Sequence, residues 1–356
     1  MNGVPVTVLT AVYNGADHLD AAITSILAQR FTDFEFLLID DGSTDATPDL
    51  LADWARRDSR IVLVRNADNL GLTRSLNRGI ALARGEWIAR QDADDISMPE
   101  RLTRQMAFLA AHPEVGLLGT GMVVIDARGI ADPVPRLAPE NHTEICWTLL
   151  TDNPFFHTAV MFRRELAMRH PYDETWRYGQ DFDLWGRLLT VTRGANLAEP
   201  LIGSRRHAGR VSELHGQQQQ ETAVRIARRR FEQLVPGHAW SMQEVFDVRR
   251  MVRSEWPAPE ETWRTLDLAL VLFDAFRRQE GMDHAISQQL QIKLFRRLWR
   301  SALALMPGRE GWRAAGSLWR HGGRQAMIAL EKEVVRALRG RFVGQTTVAA
   351  PCGSCR

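Results

Sequence analysis

Three carboxylates, Asp92, Asp94 and Asp95, stand within four consecutive positions directly after the β-prone segment Glu86–Arg90. Like charges this close repel one another unless a positive partner lies between them. Mg²⁺ and Mn²⁺ prefer oxygen ligands and commonly bridge carboxylates to phosphate. Because α/β sheets bind ligands at the carboxyl ends of their strands, this position predicts a metal and phosphate site rather than an acidic turn exposed to solvent.

The first half of the chain alternates short β-rich runs with amphipathic helical patterns, which is typical of a parallel α/β sheet. The expected strands and helices are Val4–Val12, Asp17–Gln29, Phe34–Ile39, a helix from Thr47, Ile61–Arg65, Leu72–Arg84 and Glu86–Arg90. The pattern Ser97-Met-Pro-Glu100 predicts a capping box that opens the next helix. Later elements are expected near Val115–Ile125, Thr158–Arg163, Asp181–Thr190 and a strand ending near Ser204.

The length and charge distribution indicate two parts. With 356 residues, of which 45% are hydrophobic and 25% charged, the chain can bury a substantial core. From His284 to Arg356 there are thirteen Lys and Arg residues against three Asp and Glu, whereas the net charge of the whole chain is only +2. We therefore expect an acidic α/β body over residues 1–214 and a helical, basic region over residues 215–356.

Three cysteines, Cys146, Cys352 and Cys355, provide no disulfide framework, which fits a reducing cytoplasm. The Cys352–Cys355 pair alone cannot fill a tetrahedral zinc site. The chain begins without a recognisable signal segment, and no apolar run approaches the roughly 18 residues of a membrane span. These features predict a cytoplasmic protein that is not an integral membrane protein.

Polar clusters follow two further strands, at Thr10–Gly15 and at Leu38–Asp45. For Thr44 and Asp45 we expect turn and capping roles, whereas Asp40 or Asp41 is expected to contact a nucleotide. Two common nucleotide motifs are missing from the sequence. Gly119-Thr-Gly121 lacks the third glycine of a Rossmann fingerprint, and there is no GxxxxGK[ST] phosphate loop.

Taken together, these motifs resemble the family 2 glycosyltransferases, which are inverting enzymes of GT-A fold that use nucleotide-diphosphate sugars. The resemblance extends over roughly residues 4–212. The segments that carry it are Thr10–Gly15, Asp40–Asp45, Asn69–Ile80 and Ile88–Asp95 with Ser97, Pro99 and Arg101, followed by Thr158–Arg163, Gln180–Trp185 and Arg205–His207. It implies a Rossmann-like mixed sheet flanked by helices, with a nucleotide-sugar half over residues 1–112, an acceptor half over 113–214 and a helical C-terminal extension.

The resemblance also assigns roles residue by residue. It implies nucleotide contacts for Ala11, Tyr13, Asp40, Asp41 and Asp92. Asp92 and Asp94 correspond to the DxD carboxylates that hold Mg²⁺ or Mn²⁺ against the diphosphate, with His207 as a further metal ligand. Asp181 corresponds to the general base, and Asp183, Trp185 and His157 are assigned to the acceptor side.

Several alternatives remain open for these residues. Asp181 is equally suited to capping the helix that follows it, and His207 to an ordinary surface position. The usual pair at the base is Glu-Asp, whereas this chain has Gln180-Asp181 and so has one fewer negative charge beside the base. Acceptor choice depends on the loops Asn153–His157 and Tyr172–Gly179, whose sequence contains no readable code.

We therefore expect a metal-dependent, inverting glycosyltransferase that transfers one sugar per encounter, because the Gln-x-x-Arg-Trp motif of processive members is missing. UDP-sugars are the expected donors, although dTDP- or GDP-sugars fit the same motifs. The expected acceptor is a glycan or a lipid-linked molecule in cell-envelope or extracellular polysaccharide synthesis. The alternatives are a non-catalytic sugar-nucleotide or glycan-binding protein and a sugar-1-phosphate nucleotidyltransferase, which would need a Gly-rich basic loop after the first strand.

The C-terminal region supports two interpretations. Leu294, Leu298 and Ala302 form one apolar stripe beside several arginines. Such a helix either packs its apolar stripe inside the protein or lies on an anionic membrane. In the second case the protein would be peripheral at the inner face of the membrane. Nucleic-acid binding is not expected, because no recognised nucleic-acid motif accompanies the charge.

Overall fold

The computed structural model describes residues 4–207, 215–253, 262–279, 282–304, 308–309 and 311–322. Contacts between Cα atoms divide the chain into two compact units, Met1–Ile226 and Ala227–Arg356. The first unit extends past residue 214, and the expected domain limit there stays a prediction. Cys352 and Cys355 lie outside the described residues.

The first unit contains one mixed sheet of eight strands. They are β1 Val6–Val12, β2 Phe34–Asp40, β3 Ile61–Arg65, β4 Trp87–Arg90, β5 Ile96–Ser97, β6 Val115–Ile125, β7 Met161–Arg163 and β8 Arg193–Arg205. Their order across the sheet is β3-β2-β1-β4-β7-β6-β8-β5. The pairs among β3, β2, β1 and β4 are parallel, as is β6 with β8, whereas β7 is antiparallel to both its neighbours and β5 is antiparallel to β8.

Seven helices of the described chain connect or flank these strands. They are α1 Ala16–Leu27, α2 Thr47–Arg57, α3 Leu72–Leu82, α4 Arg101–Ala111, α5 His142–Thr151, α6 Arg164–Arg169 and α7 Gln180–Leu188. Then follow α8 Gly216–Leu234, α9 Met242–Val252, α10 Thr262–Phe276 and α11 His284–Ala304, with a further helical segment at 311–322. The expected α/β fold class with a helical C-terminal extension is confirmed.

The core of the first unit lies on both faces of the sheet. Along β1, Leu9 and Ala11 join one apolar cluster while Val6 and Val8 join the other, as the alternation of side chains along a strand requires. Helices α3, α5 and α7 contribute to the first cluster, and α1, α2 and α4 contribute to the second. β1 is therefore buried along its whole length.

One local prediction is wrong. Ser97 does not cap α4, because that helix begins at Arg101 with Glu100 at its N-cap and without a side-chain capping bond. Ser97 instead lies in β5, where its hydroxyl donates to Gln91 Oε1 at 2.8 Å. The hydroxyl is engaged in a polar network beneath the acidic loop.

In the second unit, a capping box of Ser241 and Glu244 begins α9. The apolar stripe Leu294, Leu298 and Ala302 of α11 is buried, which agrees with packing inside the protein. Over the described residues, no helix combines the length and the apolar character that crossing a bilayer requires.

Candidate functional site

Three strand ends meet at one edge of the sheet, because β1 lies between β2 and β4 and runs parallel to both. Ala11 lies near the end of β1, where it is buried, and Tyr13 follows it with 47% of its surface exposed. Asp40 ends β2, and Asp92 follows β4 by two positions. The sheet thus brings the residues expected to contact a nucleotide to one edge.

Hydrogen bonds join the loop after β1 to the loop after β2. The Asn14 backbone N–H donates to Ser43 Oγ at 3.0 Å, and the Thr44 backbone N–H donates to Asn14 Oδ1 at 2.9 Å. Asp45 accepts from the Thr47 backbone N–H at 3.0 Å, which confirms its expected turn role, whereas α2 has Ala46 at its N-cap and no side-chain capping bond. Tyr13 therefore extends from a loop of defined conformation.

Asp40 and Asp41 differ in how their carboxylates are used. Asp41 accepts four hydrogen bonds, from Asn66 Nδ2, Ser75 Oγ and the backbone N–H groups of Leu70 and Gly71, at 2.6 to 2.9 Å. These bonds fix the turn before α3, so Asp41 has a structural role. Asp40 accepts from the Ser43 backbone N–H through Oδ1.

The other carboxylate oxygen of Asp40, Oδ2, is buried and accepts no hydrogen bond from the part of the chain that the structure describes. The Arg65 Nε lies 3.2 Å from it, in an ion pair that lacks hydrogen-bond geometry. A buried acceptor at this edge is able to receive a donor from a ligand. Of the two aspartates, Asp40 is therefore the better candidate for a nucleotide contact.

The three carboxylates of the acidic loop after β4 differ in their exposure to solvent. The side chains of Asp92 and Asp94 are 32% and 29% exposed, whereas Asp95 is 1% exposed and accepts from the Arg205 backbone N–H. One oxygen from each of the three lies within 4.8 Å of the others. This set of hard oxygen ligands fits Mg²⁺ or Mn²⁺, with Asp92 and Asp94 as the outward pair.

Two buried arginines lie beneath this loop. Arg90 forms an ion pair with Asp92, and Arg101 donates to Gln91 Oε1 at 3.0 Å and to the Arg90 carbonyl at 2.7 Å. Burial, and then the neighbouring Arg90, lower the pKa of the Arg101 guanidinium to about 9, against the opposing effect of Asp95 and Asp92. Both side chains supply the positive charge that an isolated acidic cluster needs.

The end of β8 closes the other side of the loop. The His207 Nε2 lies 2.9 Å from Asp94 Oδ2, so His207 lies beside the carboxylates to which the resemblance assigns the metal. Its ring contacts that of His18 on α1, with centroids 4.9 Å apart. Burial, followed by the charges of Arg205 and His207, lowers the pKa of His18.

Asp181 lies in the first turn of α7. The N-cap of that helix is Gly179, whose φ of 67° is in the left-handed region, so Asp181 does not cap the helix. The Asn153 Nδ2 instead donates to Asp181 Oδ2 at 2.7 Å. Gln180, which precedes it, is buried. The capping alternative for Asp181 is therefore wrong, and its role as the base stays a prediction.

His157, in the short 3₁₀-helical segment His157–Ala159, forms a hydrogen-bonded pair with Tyr172. His157 Nε2 and Tyr172 Oη are 2.8 Å apart. Burial and the charge of Arg90 lower the pKa of His157, against the charges of Asp181 and Asp92, so the imidazole is neutral at pH 7. The neighbouring Thr158 Oγ1 accepts from the Asp92 backbone N–H, and Asn153 Nδ2 donates to Asp181 Oδ2, so residues 153–158 link the acidic loop to Asp181.

The other residues expected on the acceptor side lie deeper. Trp185 is fully buried and contacts the rings of His157 and Tyr172, with centroids 6.0 and 6.4 Å away. Trp185 has no exposed surface for an acceptor, so it can act only by packing against that pair. Asp183 is 9% exposed and accepts from Arg187 Nε at 2.8 Å, within its own helix.

Sequence reasoning missed the residues whose roles depend on distant contacts. Arg90 and His18 have no distinguishing signal, because an arginine in a strand and a histidine in a helix are both ordinary. Asn153 and Tyr172 stand out in the sequence only as the first residues of two loops. Arg101 was part of the resemblance, but nothing in the sequence indicated its full burial.

Comparisons with known proteins agree with this geometry. The model of glycosyl transferase family 2 matches residues 7–170. Putative glycosyltransferase EpsE of Bacillus subtilis is 37% identical over 206 residues, which cover 56% of this chain and 72% of that relative. The chain belongs to glycosyl transferase family 2. It is thus a glycosyltransferase by membership, and the family expected from the motifs is confirmed.

Two further relatives extend the comparison. Amylovoran biosynthesis glycosyltransferase AmsE of Erwinia amylovora is 29% identical over 226 residues, 62% of this chain and 84% of that protein. The crystal structure of S. aureus TarS 1-349 in complex with UDP-GlcNAc has a TM-score of 0.55 at 16% identity and covers 92% of both chains. This likeness confirms the GT-A fold of the family 2 chain.

Proposed function

We propose that this family 2 chain is a metal-dependent, inverting glycosyltransferase that uses a nucleotide-diphosphate sugar. One observation carries the proposal: Asp92, Asp94 and Asp95 bring three carboxylate oxygens within 4.8 Å of one another, and the chain segment 153–158 is hydrogen-bonded both to Asp92 and to Asp181. An inverting transfer needs a charge-neutralising site for the leaving diphosphate and a single base on the opposite side. It does not need the second carboxylic acid of a glycosidase.

Asp92 and Asp94, with His207 beside them, are the residues that would hold the ion. When bound, Mg²⁺ or Mn²⁺ supplies positive charge to the diphosphate. The roles of the protein residues follow from their positions. Tyr13 and Asp40 bind the base of the nucleotide, and the carboxylate of Asp181 takes the proton of the acceptor hydroxyl as that oxygen attacks the anomeric carbon.

UDP-sugars are the donors that we propose first. The structural neighbour TarS is described in complex with UDP-GlcNAc, and dTDP- and GDP-sugars remain the alternatives to test. The relatives include AmsE, named for amylovoran biosynthesis, and ExoO of Rhizobium meliloti, named for succinoglycan biosynthesis. We accordingly propose that the acceptor is a glycan or a lipid-linked molecule in polysaccharide synthesis. We further propose that the protein acts in the cytoplasm, with peripheral contact to the membrane.

The proposal is tested by a donor panel. The purified chain is incubated with Mn²⁺ or Mg²⁺ and individual UDP-, dTDP- and GDP-sugars, and the released nucleoside diphosphate is followed. We expect slow hydrolysis of one donor, abolished by EDTA and by Asp94→Ala. Asp53→Ala is the matched control, because Asp53 is an exposed carboxylate on α2 that pairs only with Arg56 and Arg57 among the described residues.

The outcomes separate the alternatives. Metal-dependent release from one donor supports the proposal and names the nucleotide. Tight donor binding without any release, even with an acceptor mixture, would favour the non-catalytic alternative. Neither binding nor release with any donor would contradict the proposed use of nucleotide sugars.

A further inference from the structure

One short segment, residues 153–158, contacts both carboxylate regions of the site. Asn153 Nδ2 donates to Asp181 Oδ2, and His157 is bonded to Tyr172. Thr158 Oγ1 accepts from the Asp92 backbone N–H at 3.2 Å. This segment therefore sets part of the distance between Asp92 and Asp181. Asn153, its first residue, contacts Asp181.

The side-chain amide of Asn153 can be oriented without ambiguity. Its Oδ1 accepts from the Phe155 backbone N–H at 3.1 Å, so the atom that faces Asp181 is the nitrogen. An amide nitrogen only donates, and a donated bond stabilises a carboxylate over the neutral acid. Within the described residues, hydrogen bonds engage Oδ2 of Asp181 and leave Oδ1 for a substrate hydroxyl.

The 153–158 segment is held firmly against the sheet. The Pro154 carbonyl accepts from the Nδ2 of Asn196 at 3.1 Å, and Asn196 is buried on β8. Gly119 on β6 permits this approach, because a Cβ there would lie 2.8 Å from Phe155 Cδ1 and 2.0 Å from Asn196 Oδ1. The position of Asn153 is thus fixed by its own hydrogen bond to Phe155 and by the hydrogen bond of the next residue, Pro154.

Other charged or titratable groups near Asp181 come from several elements. The charges of Arg90, Asp92 and Asp181 all act on the buried pair of His157 and Tyr172. On α7 itself, Asp183 is paired with Arg187. From α8, the side chains nearest to Gly179 are the uncharged Thr222 and Ile226. Among the described residues, the direct hydrogen-bond partner of Asp181 is the neutral Asn153.

We propose that Asn153 is the positioning residue for the base: it holds Oδ2 of Asp181 and directs Oδ1 to the acceptor hydroxyl. This inference rests on the proposed function, since it requires Asp181 to accept the proton. Asn153 acts through Asp181 and does not itself contact the reacting atoms.

The test is Asn153→Asp, assayed as kcat/KM against pH with the donor found in the panel. Aspartate keeps the oxygen that accepts from Phe155, so the turn is retained, but its second oxygen cannot donate to Asp181. Two carboxylates in contact resist joint ionisation, so the base forms only at higher pH. We expect the acid limb of the profile to move up by about one pH unit or more.

Asn141→Asp is the matched control. Asn141 also accepts a backbone N–H, that of Glu144, and also donates to a carboxylate, Glu144 Oε2 at 3.0 Å. It caps α5, and aspartate caps a helix as well as asparagine does. We expect a wild-type profile for this variant, and unchanged binding of donor and Mn²⁺ by calorimetry for both variants.

A wild-type pH profile for Asn153→Asp would overturn the inference. Should that variant fail to fold, Asn153→Ser keeps an oxygen for the turn and loses the bond to Asp181, and we expect kcat to fall about tenfold at unchanged donor KM. An unchanged kcat would then overturn it. Failure of the proposed function is distinguishable, because the unsubstituted chain would then neither bind nor turn over any donor.

Discussion

The donor end and the acceptor end of this site are built in different ways. At the donor end, Tyr13, Asp40 and Asp92 lie at or just after the ends of three adjacent parallel strands, so the sheet itself brings them together. At the acceptor end, Asp181 depends on Asn153, which is 28 positions away, and His157 depends on Tyr172, which is 15 positions away. The first arrangement is local to strand ends, and the second depends on tertiary contacts.

The difference has a consequence for function. The edge of a parallel sheet is rigid and common to many sequences, which suits a constant task such as holding a nucleotide and a metal. Loop contacts can change without loss of the sheet, which suits the selection of an acceptor. We therefore expect substitutions at the donor end to abolish binding or folding, and substitutions at the acceptor end to change turnover alone.

The largest effect on turnover is expected from Asp181→Asn. Without a carboxylate to take the acceptor proton, kcat should fall by about 10²–10⁴. Donor KM should stay unchanged, because the substitution leaves Asp92 and Asp94 intact. Steady-state kinetics beside Asp53→Asn measure this, and a rise in donor KM of similar size would contradict the division between the two ends.

Arg101→Met should weaken the donor end through folding. The substitution removes a fully buried cation from beneath Asp92 and Asp95, and it leaves Gln91 Oε1 and the Arg90 carbonyl without this donor. We expect a loss of about 3–5 kcal/mol in the free energy of unfolding by urea.

Arg104→Met is the control on the same helix. Arg104 is 57% exposed in its pair with Glu199, so its loss should change the free energy of unfolding by no more than about 0.5 kcal/mol. Equal effects of the two substitutions would show that the buried counter-charge does not stabilise the acidic loop.

Tyr172→Phe should have an intermediate effect, at the acceptor end. It leaves the Nε2 of His157 without its hydrogen-bond partner, the Oη of Tyr172. We expect kcat to fall about tenfold at constant donor KM, since an unsatisfied buried group typically costs about 1–3 kcal/mol. Tyr178→Phe, at a half-buried position, should have little effect. A change confined to donor KM would assign the pair to the donor end.

The sequence sufficed for features that are local. The strand Ile61–Arg65 and the helical start at Leu72 were predicted as they occur, and so was the meeting of three polar strand ends. The predicted capping box at Ser97 is wrong, because the Ser97 hydroxyl is hydrogen-bonded to Gln91, six positions earlier, beside the buried Arg101. Contacts of this kind depend on which strands become neighbours, and no local pattern contains that information.

The smallest effect is expected from Gln180→Glu, which restores the pair usual in the family. A second carboxylate beside Asp181 disfavours ionisation of the base, so the acid limb of the pH profile should move to higher pH, by less than in Asn153→Asp. Activity above neutral pH should be retained. Gln218→Glu, exposed on α8, serves as the control. A profile shifted to lower pH would contradict the electrostatic reasoning.

The separate roles of the donor end and the acceptor end are tested most directly by calorimetry. Binding of the donor found in the panel is measured with and without Mn²⁺. Asp94→Ala and Asp181→Asn are compared with the unsubstituted chain, and turnover is measured on the same samples. We predict that Asp94→Ala loses metal-dependent donor binding, that Asp181→Asn binds like the unsubstituted chain, and that both lose turnover. Donor binding kept by Asp94→Ala, or lost by Asp181→Asn, would contradict the separation of a metal-holding donor end from a proton-accepting acceptor end.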